Sequence, residues 1–576
     1  MYSKISTLFE NKDKRLFKLI LFLNFLVFFL EFASLASIPI FVGLVIDANF
    51  LTDKINAYLG YNFISTMNNK DIIALVAIFI VIIFILKNAF LLLLTYMQGN
   101  FFKRIKLNIA DKLFNYYVNC SYLFHLKNNP SKLSRNISIE IQGIYTYLHH
   151  LISIIRETLA ILVIIILLII LNPTITTIVF LFLAGIIFFY LKKIRPFIRE
   201  KANKNLEFRN SIIQTINETF GSIKDIKILT KEKEIGSFFN KNLKQMEKNI
   251  FYFYIMERLP RLFLELFSII TIIVACLVYL SLNENIIDLF PVIALVVVSA
   301  VRFIPAFSAL TSGMTYIRLY EPSINVLVEE IKKANLHNNF EPKTNEIINK
   351  NINININKIF FSVRDVSFSY PESSAFPLKN ISMNIDEGSK IGITGKTGAG
   401  KSTLFHLMLG LLKPNSGNIF YKGEDIFNNL YQWRKEIGYI SQNIYLLDSS
   451  VKKNIVFNFL NETIDNKKLE KAINIASLKE KILEMPNGIE TKVGTDGLKL
   501  SGGERQRIAL ARAVYREPNI FFMDESTSAL DDKTEELIMN NIENNFSDKT
   551  MIMIAHRKTT IEKCDKVWNL VNGSIN

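Results

Sequence analysis

Residues 388–403 read GSKIGITGKTGAGKST, and this stretch decides the fold of the C-terminal part of the chain. A β-rich run leads into a loop of the form G-x-x-x-x-G-K-[ST], and the helical pattern STLFHLMLGLL follows. Glycines let backbone N–H groups cradle phosphates at a helix N-terminus, while Lys401 reaches the β- and γ-phosphates and Ser402 ligates Mg²⁺. A plain glycine-rich turn is the alternative, and the flanking strand and helix disfavour it. The predicted phosphate-binding residues are Gly395, Lys396, Thr397, Gly398, Ala399, Gly400, Lys401, Ser402 and Thr403.

A second pattern lies downstream, where residues 520–525 read IFFMDE, a buried-strand pattern that ends in two carboxylates. Asp524 would hold the Mg²⁺ through water, and Glu525 would orient and polarise the attacking water. In isolation, two acidic residues that merely end a strand are an equal alternative. Together with the glycine-rich loop, the pattern predicts a domain that binds and hydrolyses a nucleotide.

Between these two elements stands LSGGERQR, residues 500–507, at the start of a helical run. With this motif, residues 359–576 resemble the nucleotide-binding domain of an ATP-binding cassette (ABC) transporter. The resemblance implies ATP and Mg²⁺ as cofactors. It also implies that Ser501, Gly502 and Gly503 face the γ-phosphate of an ATP bound on a second domain. Glu504 stands where the family more often has Gln.

The resemblance implies roles for four further residues. Tyr370, in VSFSYP, would stack on adenine, and Gln442, in YISQNIYLL, would sense Mg²⁺ and couple to the membrane domain. Asp531, in STSALD, would lie at the dimer contact, and His556, in IAHR, would contact the γ-phosphate. The implied catalytic residues are Glu525, His556 and Gln442, and the implied metal-binding residues are Ser402, Gln442 and Asp524.

One departure from the family pattern precedes the signature motif. Exporters usually read T-x-V-G-E-x-G there, whereas residues 491–497 read TKVGTDG, so that Thr495 replaces the usual Glu. Coupling through that carboxylate is in question unless Asp496 substitutes for it.

The N-terminal part is a predicted membrane domain. The chain has 576 residues and a net charge of +15. Its hydrophobic fraction of 50% and mean hydropathy of +0.25 exclude a disordered or collagen-like protein. A helix needs about 20 consecutive apolar residues to span a bilayer. Six runs qualify, at residues 16–46, 72–98, 150–171, 174–191, 262–282 and 286–311. The predicted fold is therefore a membrane α-helical domain of six transmembrane helices followed by an α/β P-loop NTPase domain, which resembles an ABC exporter half-transporter.

Orientation follows from the basic residues. They cluster in the long connections after runs two and four, for example Lys103, Arg104, Lys192 and Lys193. The positive-inside rule therefore places both connections and both termini in the cytoplasm. The first run is too long for the apolar core of a signal peptide, so we expect a retained helix. Three widely separated cysteines imply neither a disulfide framework nor a zinc site.

The predicted domain limits are residues 1–327 for the membrane domain, 328–350 for a polar, Asn-rich linker and 351–576 for the nucleotide-binding domain. Two segments of the membrane domain match the coupling regions of the family. Residues 130–136, PSKLSRN, resemble the first, and residues 218–234 resemble the second, with Gly221 at a short transverse helix. A solvated amphipathic helix is the alternative for both.

Two features bear on the cargo. Ionisable residues within the apolar runs are costly and usually face a cavity or a partner; they are Glu31, Lys87, Arg156, Glu157, Glu265 and Arg302. Lys87 and Arg156 lie close enough to the ends of their runs to snorkel to the interface, which is the favoured alternative for these two. Arg302 lies in the middle of run six, where its guanidinium could bind a phosphate or pyrophosphate, and a structural pair with Glu31 or Glu265 is equally favoured. In the outer loop 47–71, apolar residues at helical spacing between Phe50 and Leu59 predict an amphipathic helix on the membrane surface.

Residues 29–45, FLEFASLASIPIFVGLV, and 301–323, VRFIPAFSALTSGMTYIRLYEPS, resemble the lipid-linked oligosaccharide flippases of bacterial protein glycosylation. The leading hypothesis is a homodimeric, ATP-driven flippase of the bacterial cytoplasmic membrane that moves a polyprenyl-pyrophosphate-linked saccharide to the outer leaflet. The alternatives are a multidrug, lipid A or peptide exporter, or a nucleotide-gated channel or regulator on the same fold. A heterodimeric partner remains open, and no nucleic-acid partner is expected.

Overall fold

A computed structural model describes residues 5–46, 69–171, 188, 192–193, 195–281, 286–337, 359–371, 378–459, 463–494, 497–524, 532–554 and 561–575. The chain forms two compact units. The first comprises Met1–Cys120 and Lys127–Asn345, and the second comprises Ser121–Leu126 and Glu346–Asn576. Six residues from the N-terminal half therefore belong to the C-terminal unit.

Long helices build the first unit, and the parts of them that contain the predicted runs carry apolar residues almost without interruption. In chain order the described helices are α1 (Asn11–Ile46), α2 (Asn69–Asn119), α3 (Tyr122–Lys127), α4 (Pro130–Arg135), a π-helical turn (Asn136–Glu140), α5 (Ile141–Leu171), α6 (Arg195–Gly221), α7 (Ile223–Ile228), α8 (Glu232–Ser281) and α9 (Ile286–His337). Of these, α3 lies almost entirely in the C-terminal unit.

Three stretches of the described chain are long and apolar enough to cross a membrane, namely Asn11–Val45, Lys70–Asn119 and Pro130–Leu167. The most apolar window of α2 is not buried inside the unit, and side chains such as Leu92 point outward. An outward apolar face is stable when lipid, rather than water, surrounds the helix.

The predicted runs map onto these helices in different ways. Runs five and six lie in α8 and α9, whereas most of run four, residues 174–191, lies outside the described residues, as does most of the outer loop 47–71.

Helix α9 continues to His337, ten residues into the predicted linker. This continuation is stabilised by burial of Ile331 and Ala334 and by a 2.9 Å ion pair between Lys333 and Glu330.

Helices α5 and α9 approach closely at two glycines. A Cβ atom on Gly143 would lie 2.9 Å from Cδ1 of Tyr320, and one on Gly313 would lie 2.9 Å from Cγ1 of Ile154. Small residues at such crossings let helix backbones approach in a membrane. The start of α5 and the region of α9 beyond Arg302 are therefore held at close range.

The C-terminal unit contains two sheets. Its strands are β1 (Ile359–Phe368), β2 (Leu378–Asp386), β3 (Lys390–Gly395), β4 (Ser416–Tyr421), β5 (Glu424–Asp425), β6 (Ile437–Ile440), β7 (Ile520–Asp524), β8 (Thr550–Ile554), β9 (Lys566–Val571) and β10 (Ser574–Ile575). Strands β2-β1-β4-β5 form an antiparallel sheet, and β10-β9-β3-β8-β7-β6 form a sheet that is parallel from β9 to β6. Strands β7 and β8 are buried along their whole length, as expected of parallel strands covered on both faces.

The helices of this unit are α10 (Lys401–Met408), α11 (Leu430–Lys435), α12 (Val451–Val456), α13 (Asn466–Ile475), α14 (Lys479–Glu484), α15 (Gly502–Tyr515) and α16 (Asp532–Asn545). An aromatic cluster fixes α10 between the sheets. The Phe405 ring meets Phe522 edge to face at 5.6 Å, Phe361 stacks on Trp433 at 5.3 Å, and the Trp433 indole donates a 3.0 Å hydrogen bond to the carbonyl of Met408. The helix that follows the glycine-rich loop is thus anchored at its C-terminal end.

Candidate nucleotide-binding site

The glycine-rich loop joins β3 to α10 with a backbone that only glycine adopts without strain. Gly395 has φ +148°, and a Cβ atom there would lie 2.4 Å from the carbonyl oxygen of Leu570 on the neighbouring strand. Gly400, with φ +103°, is the N-cap of α10. A Cβ atom on Gly398 would have nothing within 4 Å, so this exposed part of the loop is open rather than packed against side chains.

Lys401 closes this loop. Its Nζ donates to the carbonyl of Gly395 at 2.7 Å and to that of Lys396 at 3.2 Å, and only 8% of the residue is exposed. The ammonium group is therefore held inside the loop by fixed backbone acceptors. A positive charge beside the N-terminal N–H groups of a helix suits a polyphosphate, so the residues present fit ATP.

Asp524 ends β7 and is 94% buried. Because β3, β8 and β7 are parallel neighbours, Asp524 and the loop after β3 lie at the same edge of the sheet. Burial and the nearby Asp524 charge raise the pKa of Tyr439, on β6, to about 12. The structure thus brings Ser402 and Asp524 to one edge, and an oxygen-rich pair of this kind fits Mg²⁺.

Tyr370, which follows β1 of the other sheet, lies beside the first turn of α10. Its hydroxyl is 3.3 Å from Oγ1 of Thr403, and its ring packs edge to face against Phe368 at 5.0 Å. The predicted adenine-stacking residue and the last predicted loop residue are therefore neighbours. Gln442 is exposed two residues after β6 ends.

The signature motif forms the start of α15. Ser501 is its N-cap and completes a capping box, because Glu504 N donates to Ser501 Oγ at 3.2 Å and Ser501 N donates to Glu504 Oε2 at 2.8 Å. Glu504 also pairs with Lys481 at 3.1 Å. Glu504, which stands where the family more often has Gln, thus stabilises the start of α15. Ser501 itself is exposed.

Several predicted residues fall outside the described chain. They are Glu525, Asp531 and His556, together with Thr495 and its neighbour Asp496. The roles given to them stay predictions.

Within the membrane unit, Arg302 is paired with two carboxylates. Its Nε donates to Glu31 of α1, and its Nη2 lies 3.4 Å from Glu157 of α5, which also pairs with Arg156 at 2.9 Å. The structural pair with Glu31, one of the two alternatives from the sequence, is present, and its second carboxylate is Glu157. Binding of cargo by Arg302 stays a prediction.

A segment that the sequence did not single out packs in the C-terminal unit. The predicted first coupling segment, residues 130–136, forms α4 and the start of the π-helical turn, whereas Ser121–Leu126 groups with the nucleotide-binding unit. Tyr122 and Leu123 pack against its core, and the Tyr122 ring meets His406 of α10 at 5.2 Å. Burial lowers the pKa of His406. The aromatic-rich run YLFHL between two long helices was the available signal.

Comparison with known proteins agrees with this architecture. Residues 4–304 match the family model described as "ABC transporter transmembrane region", and residues 378–528 match the one described as "ABC transporter". The chain belongs to the ABC transporter family. In this ABC transporter the membrane region and the ATP-binding domain are fused in one chain, as in exporter half-transporters, and membership implies ATPase activity coupled to transport.

The chain is similar to several named ABC transporters and to a solved exporter structure. An "ATP-dependent lipid A-core flippase" of Burkholderia orbicola (strain AU 1054) is 26% identical over 82% of this chain and 78% of its own. A protein of the same name from Vibrio parahaemolyticus is 37% identical over 37% of each chain, and "ABC transporter B family member 1" of Arabidopsis thaliana is 37% identical over only 17% of its own length. This chain thus spans well under two thirds of the latter two. The structure of a bacterial Atm1-family ABC exporter with ATP bound has the same fold, with a TM-score of 0.70 at 21% identity over 96% of this chain and 93% of that chain.

Proposed function

We propose that this ABC transporter, as a homodimer in the bacterial cytoplasmic membrane with both termini in the cytoplasm, uses ATP hydrolysis to move an anionic amphiphile to the outer leaflet. The proposed cargo is a polyprenyl-pyrophosphate-linked oligosaccharide. The proposed ATP hydrolysis is supported by the loop geometry and the family membership described above. The proposed cargo is supported by the charge cluster of the membrane unit.

At the ATP site, this chain's residues bind and orient the nucleotide. Lys401 contacts the β- and γ-phosphates, and Ser402 and Asp524 would hold Mg²⁺, which neutralises phosphate charge when bound. Tyr370 supports the adenine, and Glu525, which follows Asp524 directly, orients the attacking water.

Replacing Glu525 by Gln removes that carboxylate but leaves the phosphate cradle. Mg-ATP binding should then persist while single-turnover hydrolysis slows at least about tenfold.

A second copy of the chain supplies what one copy lacks. Ser501 and the N-terminal N–H groups of α15 are proposed to face the γ-phosphate on the partner. The short helix α7 and its flanks carry exposed apolar side chains, with Phe220 70%, Ile228 79% and Leu229 62% exposed. Apolar side chains this exposed on a polar segment favour an interaction surface, and we assign it to the homodimer.

The observation that carries the cargo proposal is the imbalance of the charge cluster. The cluster consists of Glu31, Lys87, Arg156, Glu157 and Arg302, so three cations face two carboxylates and the net charge is +1. The two carboxylates are almost fully buried, whereas Arg302 and Arg156 are 30% and 28% exposed. The accessible side of the cluster is therefore positive. A diphosphate head group at this depth would find a cation that lowers its desolvation cost.

The test is lipid translocation in reconstituted liposomes with three labelled probes: a polyprenyl-pyrophosphate oligosaccharide, lipid A and a neutral glycolipid. We expect ATP-dependent movement of the first, reduced much more than basal ATPase by Arg302→Ala and only partly restored by Arg302→Lys, which lacks the bidentate fork. The matched control is Arg318→Ala, on the same helix but paired locally with Glu321 at 2.7 Å. Normal translocation by Arg302→Ala would return Arg302 to a purely structural role.

A lipid A-core flippase is the second candidate, favoured by the relatives that carry this name. Lipid A also carries phosphate, so the charge cluster suits both cargoes. Movement of lipid A without movement of the polyprenyl probe would replace the proposed cargo by this one.

A further inference from the structure

A group of polar side chains, buried except for the partly exposed Arg209, joins the start of α5 to three other long helices of the membrane unit. We call it the polar seam, and it consists of Tyr117, Asn136, Glu140, Arg209 and Glu330. Its two halves meet at the π-helical turn Asn136–Glu140, and each half reaches a different neighbour.

One half ties the turn to α6. Glu140 is 1% exposed, and Nη2 of Arg209 donates to both of its carboxylate oxygens, at 2.7 and 2.9 Å. Arg135 lies beside it, with Nε 3.4 Å from Glu140, and donates through Nη1 to Asn210 of α6 at 2.7 Å. Because Glu140 is buried and Arg209 is 25% exposed, loss of the arginine would leave the carboxylate without water or a counter-charge of equal strength, which is costly.

The other half ties the turn to α2 and α9. Asn136 is fully buried and donates through Nδ2 to the Tyr117 hydroxyl at 3.0 Å, and that hydroxyl donates to Glu330 at 2.9 Å. Lys333 holds the second oxygen of Glu330 at 2.9 Å. The turn therefore contacts α6 on one side and the pair α2 and α9 on the other.

The members of the seam do not all pair with one another. Within the described chain, no protein group forms a hydrogen bond with Oδ1 of Asn136 or Nε of Arg209, and Nε of Arg135 faces Glu140 only at 3.4 Å. A buried polar network that is only partly satisfied is costly, so a second arrangement can lie close in energy. Single π-helical turns inside α-helices also occur often at functional sites.

We propose that the polar seam is a conformational latch: the contact of Glu140 with Arg209 holds α6 against the start of α5 in the state described, and it opens during each ATP-driven cycle. Packed helices switch between discrete arrangements rather than deform continuously, and a seam whose members do not all pair with one another loses fewer contacts on switching. The latch rests on the proposed ATP-driven cycle but not on the identity of the cargo.

A disulfide staple tests the latch directly. Nδ2 of Asn217 on α6 lies 2.8 Å from Oγ of Ser131 on α4, directly before the turn. Ser131→Cys with Asn217→Cys, in a variant of the full chain without its native cysteines, should cross-link on oxidation. ATP binding should persist, ATPase activity in nanodiscs should fall at least about tenfold, and a thiol reductant should restore it. Either single-cysteine variant, oxidised in the same way, should keep full activity.

Weakening the latch should have the opposite effect. Glu140→Gln keeps the side-chain shape but loses the charge, so we expect basal ATPase to rise about threefold or more. The matched control Glu200→Gln changes an exposed carboxylate of α6 that pairs with Lys204, and its basal rate should not change.

The two variants also separate the latch from a merely structural seam. If the seam is only structural, Glu140→Gln lowers the unfolding midpoint without raising basal ATPase, and the stapled protein turns over at the wild-type rate. Either result, or failure of the pair to cross-link, overturns the latch. If Glu140→Gln does not fold, the staple decides alone. Failure of every lipid probe to move would overturn the proposed cargo while leaving both latch measurements interpretable.

Discussion

At the residue scale, the glycine-rich loop depends on Gly395 having no side chain. Its positive φ and its contact with the Leu570 carbonyl both exclude a Cβ atom. Gly395→Ala should therefore abolish ATP binding. The matched control is Gly423→Ala, which has φ +84° but nothing within 4 Å of the added Cβ, so its cost is the backbone strain alone, about 1–2 kcal/mol. Nucleotide affinity by calorimetry and thermal unfolding of both variants check this, and equal losses in the two would contradict the steric argument.

A second prediction at this scale concerns Cys564. Burial raises the pKa of its thiol to about 11, and the neighbouring Asp565 charge acts in the same direction. The reactive thiolate is then about one part in a thousand at pH 8, far less than for an ordinary cysteine. A maleimide at pH 8 should leave Cys564 unmodified in the folded protein and label it after denaturation, as peptide mass spectrometry would show. Rapid labelling in the folded protein would place the thiol in a more exposed setting.

At the element scale, the start of α15 depends on its capping box. Glu504→Ala removes the reciprocal hydrogen bond to Ser501 N and the pair with Lys481, so we expect a loss of about 0.5–2 kcal/mol in the free energy of unfolding. Glu504→Gln restores the residue more common in the family and keeps the box. It should therefore be close to neutral. Denaturant unfolding of the two variants distinguishes them, and equal losses would show that the charge of Glu504, not the box, matters.

Elements with a local signal are the ones that the sequence predicts well. The glycine-rich loop, the buried strand β7 and the start of α15 each follow from residues close together in the chain, and the structure forms all three. The partners of Arg302 and the π-helical turn depend on side chains from distant helices, which no local pattern specifies. The position of α3 in the C-terminal unit was not predicted for the same reason. Its apolar residues could equally have faced the membrane unit.

At the scale of the whole molecule, the fused layout determines how many copies an ATP site needs. One chain carries one glycine-rich loop after β3 and one signature motif at the start of α15. If the signature of one copy closes on the ATP of the other, two identical copies complete two sites. This arrangement makes nucleotide-dependent contact between Thr397 and Ser501 a property of the dimer.

Cysteine cross-linking between differently tagged copies tests that arrangement. Ser501→Cys in one copy and Thr397→Cys in the other, both without native cysteines, should cross-link between chains with Mg-ATP or a slowly hydrolysed analogue and much less without nucleotide. The control pairs Thr397→Cys with Glu517→Cys, an exposed residue just beyond the opposite end of α15, and should show no dependence on nucleotide. Because only the signature end of the helix is proposed to face the partner's phosphates, the two pairs must differ. A monomer with full ATPase activity in detergent would remove the need for a second copy.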